Sequence, residues 1–94
     1  MNATKSLVEF LGTYIALSAI LYTSKNYPKY APIVDATSFA FVIFLFSTIS
    51  ANFNPAITLM MVIEQKQPFH DIFTLIIPQL LGGYLAYLTN KFIK

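Results

Sequence analysis

A chain of 94 residues in which 56% are hydrophobic and 11% charged is not an ordinary soluble domain. About a quarter of the residues in such domains carry charge, and a fold this small has too little interior to hide so much apolar surface. There is no cysteine, which excludes disulfides and thiolate metal sites, and the net charge of +2 comes from lysines dispersed among the loops, with no arginine and no basic patch suited to nucleic acid.

The charges are segregated. Nothing between Asp35 and Glu64 is charged, nothing between Asp71 and Lys91 is charged, and an earlier apolar run covers Leu7 to Thr23. Three such runs separated by short charged loops predict one domain over 1–94, an all-α, multi-pass integral membrane protein with spans over 6–24, 33–49 and 70–92.

The first run has Lys5 ahead of it and small residues at Ala16 to Ala19, the outline of a secretory signal. Glu9 inside the apolar stretch, and the spanning sequence that follows, favour a retained helix instead. Glu9 itself has two readings: a carboxylate near a span end that snorkels to the interface, or a buried acceptor for backbone N–H groups. The next stretch, with Lys25, Lys29, Pro28, Pro32 and the tyrosines 22, 27 and 30, reads as an interfacial loop.

The second run is the informative one. A continuous helix over 36–63 would be about 42 Å long against a hydrocarbon core of about 30 Å, so it must be interrupted. Ser47, Thr48, Ser50, Asn52 and Asn54 cluster before Pro55, and a residue preceding proline is pushed out of the helical region. Asn54 suits an N-cap and Pro55 a first helical residue. A helix over 55–63 would be about 13 Å long, close to half the hydrocarbon thickness. The expected arrangement is a re-entrant loop over 50–54 followed by a half-helix over 55–63, with its exposed backbone lining an aqueous cavity. A proline kink in one long tilted helix is the competing reading. Phe39, Phe41, Phe44 and Phe46 read as lipid-facing or packing residues, not as a binding box.

His70 beside Asp71 lacks the further ligands a metal needs and reads as a solvated loop. The third run contains Pro78, which would kink it, and Gly82-Gly83, which would admit a neighbouring backbone. No nucleophile and base pair is evident, so an enzyme is not expected, and no cofactor is implied.

Taken in order, Glu9-Phe10-Leu11-Gly12-Thr13, Asn54-Pro55-Ala56 with Ile57-Thr58, and Gln79 through Ala86 resemble the major intrinsic protein family, the aquaporins and glycerol channels. The resemblance covers nearly the whole chain but one of the family's two repeats; a family channel has six spans and two half-helices related by an inverted pseudo-two-fold. Ser50 stands where the family usually has glycine, and Asn52 where it often has histidine.

The resemblance implies a channel for water and small neutral solutes such as glycerol. It makes Glu9 and Gln79 buried supports of the loop, and Asn54, Pro55 and Ala56 the mid-pore motif. A pore would then require two copies in opposite orientations, an antiparallel homodimer in the membrane lipid, with a tetramer of dimers as the family's assembly suggests. Lys5 and Lys66 would lie on one side and Lys25, Lys29, Lys91 and Lys94 on the other, a bias small enough to permit dual topology. Filter positions carried over from the family fall on Val34 or Asp35 of one chain and Val42, Ala51 and Ile57 of the other. Ile57 replaces the family's arginine, which implies a wider and less polar constriction. The alternatives are a non-conducting membrane interaction protein that modulates a full-length channel, or an inactive truncated fragment.

Overall fold

The computed structural model describes residues 3–93. Its elements are α-helices α1 (Ala3–Asn26), α2 (Ala31–Phe46), α3 (Pro55–Ile63), α4 (Asp71–Thr74) and α5 (Ile76–Phe92), with a 3₁₀ turn at Pro28–Tyr30 leading into α2. Three segments, Ala3–Asn26, Pro28–Phe46 and Asp71–Phe92, are long and apolar enough to cross a membrane, which is consistent with an integral membrane protein.

α1 is the axis of the fold, contacting α2 and α5. Its buried residues are Val8, Glu9, Gly12, Thr13, Ala16 and Thr23, a stripe at helical spacing. α5 presents Gln79, Gly82, Ala86 and Asn90 to it. Small side chains let the two backbones approach: a Cβ on Gly82 would lie 2.6 Å from the carbonyl oxygen of Phe10. Polar side chains fasten the two ends of this seam. Ser6 Oγ donates to the Thr74 carbonyl at 2.7 Å, and Lys25 Nζ donates to the Asn90 carbonyl at 3.0 Å. These pairs also show that α1 and α5 run parallel.

Pro78 explains why the third membrane-length segment is broken. Proline cannot donate to the carbonyl four residues earlier, and its ring crowds that carbonyl. The carbonyl is that of Thr74, where α4 ends; Ser6 supplies the missing hydrogen bond. The interruption therefore falls at Leu75, a turn before the proline itself.

α2 begins earlier than the expected span over 33–49 and ends earlier, at Phe46. Pro28 and Pro32, read from sequence as loop residues, both sit in first turns, where a missing N–H leaves no bond unmade. One residue of α2, Val42, is buried, in a cluster with Val8, Ala16 and Phe53 against which Phe39, Phe46 and Ala51 pack. Phe41 and Phe44 point outward.

α3 is the nine-residue helix expected from length. Asn54, extended at φ −154°, accepts the N–H of Ala56 on its side chain, and Pro55 occupies the first turn. The other end closes with Gln65 at φ 60°. Lys66 N donates to the Met61 carbonyl and Gln65 N to that of Val62, the paired bonds of a Schellman stop built without glycine.

Candidate functional site

The loop between α2 and α3 would be untenable without partners, because Ser50 to Asn54 lie outside regular structure and each unpaired backbone group costs free energy when buried. Glu9 supplies those partners. Its carboxylate is fully buried. Oε2 accepts from the Ser50 hydroxyl and from Asn52 N at 3.0 Å, while Oε1 accepts from Phe53 N at 2.7 Å and Gln79 Nε2 at 2.8 Å. A carboxylate removed from water is tolerable when its lone pairs are occupied in this way. Of the two readings open for Glu9 from sequence, the structure has the buried acceptor.

Phe53 is the strained element. Its φ of 54° lies in the left-handed region that bulky residues rarely enter. The bond from its N–H to Glu9 holds the backbone, and its ring sits where a Cβ on Gly12 would be, 2.1 Å from the nearest ring carbon. Phe46 meets it edge-on at 6.1 Å. Gly12 therefore makes room for the ring whose backbone Glu9 anchors.

From Glu9 a chain of polar contacts continues outward. Gln79 Nε2 also donates to Thr58 Oγ1 at 2.9 Å; Asn52 Nδ2 donates to the same oxygen at 2.9 Å and to Gln67 Oε1 at 2.9 Å. Gln67 Nε2 then donates to Asp71 Oδ2 at 2.8 Å, and Lys5 Nζ reaches that oxygen at 3.3 Å. Thr58 is fully buried, one helical turn past Asn54. The network ties loop, α1, α3, α4 and α5 together, so the direction of α3 is set by side chains distant in sequence.

Asn54 stands at the start of α3 with its Oδ1 committed to Ala56 N at 2.8 Å. Its Nδ2 makes no hydrogen bond among the described residues. Asn54 and Pro55 are half-buried; Ala56 and Ile57 are exposed, Ile57 at 38%. The helix dipole puts partial positive charge at the same end of α3.

The other carried-over positions divide. Ala51 is half-buried and packs on the core cluster. Val42 is fully buried in that cluster, where α2 turns it inward toward Val8 and Phe53, so it adds nothing to the exposed surface of this chain. Val34 and Asp35 are half-buried. Val34 lines a groove of about 410 Å³ between α1 and α2 with Ile15, Ile33 and Phe41. Asp35 Oδ1 is buried without a hydrogen-bond partner among the described residues. Val34 lies about 18 Å along α2 from Phe46, so one chain does not bring it to Asn54.

Asp71 and Gln67 carried no sequence signal for their part in this network. Asp71, read as part of a solvated loop, is buried and holds Lys5 and Gln67, while His70 beside it is exposed. Ser50 and Asn52 stood out as departures from the family pattern, and both prove to be hydrogen-bonding members of the network. Among the described residues no cluster of metal-ligating side chains forms. Comparison with family models, curated proteins and solved structures finds no match to this chain.

Proposed function

We propose that the chain is a half-channel of the major intrinsic protein type, which passes water and small neutral solutes such as glycerol across a membrane when two copies associate in opposite orientations. The observation that carries this reading is Asn54: its carbonyl oxygen is consumed in capping α3 and its amide is left to donate. At the positive end of a helix, such a donor holds a water by its oxygen and repels cations.

The depth of that end supports a re-entrant half-helix. Along α1 the partners of the loop fall at Glu9 and Gly12, whereas Lys5, nearer the helix start by about 6 Å from Glu9 and about 10 Å from Gly12, meets the segment after α3 through Asp71. α3 therefore starts well inside the span of α1 and returns toward its N-terminal end. Backbone left irregular at such depth belongs beside a cavity or within protein.

A single half-helix cannot enclose a pore. In an antiparallel pair each Asn54 faces its mate near mid-membrane, and Val34 or Asp35 of one copy approaches Ala51 and Ile57 of the other. Ile57 brings no charge to that constriction, so neutral solutes wider than water pass, and cation exclusion rests on the two helix dipoles and the paired amides.

Two measurements test the parts separately. Proteoliposomes containing the protein should shrink under osmotic stress faster than empty vesicles, and equal rates would remove the pore. The chain has no cysteine of its own, so mixed Val34→Cys and Ile57→Cys copies should form a disulfide-linked heterodimer on oxidation. Capture of parallel pairs alone would remove the antiparallel assembly.

A further inference from the structure

At the end of the molecule away from the loop, the last turns of α1 and α5 enclose a pocket of about 370 Å³ lined by Leu21, Lys25, Tyr87, Asn90 and Lys91. Two lysines from different helices share it. Neither has a carboxylate within ion-pair distance among the described residues, in contrast to Lys5, which Asp71 holds at the opposite end. Lys25 gives one N–H to the Asn90 carbonyl and keeps two. The Lys91 ammonium makes no hydrogen bond among the described residues. The Asn90 side chain is turned inward, to the carbonyls of Ala86 and Ser18. Among the described residues no carboxylate lines the pocket; Asp35 of α2 is not on its walls.

A lysine in a last helical turn ordinarily offsets the carbonyls exposed there. Two helix ends together amount to about one negative charge, and two ammonium groups exceed it, so the pocket stays net positive. Below it the surface changes character. Ile77, Leu80, Tyr84 and Tyr87 are all exposed and follow one another at helical spacing up to Lys91, with Tyr84 and Tyr87 stacked at 6.1 Å. A cationic head leading into an apolar stripe has the chemistry of a lipid contact, with Tyr87 at headgroup depth.

We propose that this pocket holds the phosphate of an anionic phospholipid, with Lys25 and Lys91 donating to its non-bridging oxygens and an acyl chain lying along Tyr84 and Leu80. The site lies within one copy of the chain and is independent of whether the chain conducts.

Native mass spectrometry of the detergent-solubilised protein, offered dioleoylphosphatidylglycerol or dioleoylphosphatidylcholine, reads the preference directly. Phosphatidylglycerol should be retained preferentially. Lys91→Gln should reduce that preference by about fivefold, and adding Lys25→Gln should reduce it by about fivefold again. Lys91→Arg should keep it, and Lys29→Gln, outside the pocket, should leave it unchanged. Because Lys25 also supports Asn90, Lys91→Gln alone carries the test if the double variant folds poorly. Equal retention of the two lipids, a loss in Lys29→Gln as large as in Lys91→Gln, or displacement of the lipid by inorganic phosphate at the same concentration would each overturn the proposal.

Discussion

α5 and α2 both pack against α1, and they do so by different means. The α1–α5 seam carries glycine, alanine and buried polar groups, and includes the carboxylate that organises the loop. α2 buries Val42 and leaves the rest of its apolar surface uncovered or half-covered. In lipid, burying apolar groups against one another gains little over leaving them in hydrocarbon, so the helix fastened by small residues and hydrogen bonds has a specified position. α2 is held chiefly through its few inward contacts and keeps a broad face for lipid or a second copy.

Substitutions can set the two halves of this contrast against each other. The largest effect should come from Glu9→Ala, which strands the Ser50 hydroxyl, two loop N–H groups and a Gln79 N–H. On the order of 3–5 kcal/mol of stability should be lost, read by denaturant unfolding in micelles, with cleavage by protease at the loop as a local readout. A smaller loss would mean that water replaces the carboxylate. Gly82→Ala and Gly12→Ala come next. The first presses a Cβ on the Phe10 carbonyl and the second on the Phe53 ring, and each should cost about 1–3 kcal/mol by overpacking.

Val42→Ala removes the single buried side chain of α2. The cavity left at this fully buried site should destabilise by about 1 kcal/mol through lost packing contacts and leave the permeability per folded copy unchanged; a change in solute selectivity would place Val42 on the pore wall. Smallest of all, Phe44→Ala, on a side chain 84% exposed, should alter stability by less than about 0.5 kcal/mol and leave the dimer fraction in cross-linking unchanged. A fall in that fraction would make the outer face of α2 a contact between copies.

What could be read in the sequence was whatever depends on local rules. The break before Pro55, the Asn54 cap and the bounds of α3 follow from span length and proline chemistry, which act within a few residues. The start of α2 was misread because prolines at 28 and 32 look like loop signals until a helix start is known to lie there. The burial of Val42 was not legible, because distance from Asn54 along the chain fixes a position in sequence, while the face of α2 that packs on Val8 depends on tertiary contacts. The roles of Asp71 and Gln67 were invisible for the same reason. Asp71 meets Lys5 across most of the chain's length, and nothing in a loop of mixed polar residues distinguishes a buried carboxylate from a solvated one.

In the proposed half-channel the amide of Asn54 serves passing water and its carbonyl serves α3. Asn54→Asp separates these tasks, since aspartate caps a helix as well as asparagine does but offers no N–H and puts negative charge at the positive end of α3. The most direct measurement is osmotic shrinkage of proteoliposomes by stopped flow, with wild type and Asn54→Asp at matched content of folded protein. Water permeability should be well above that of empty vesicles for the wild type, and most of it should be lost in the variant with its stability retained. Full permeability in Asn54→Asp would contradict this role of the amide.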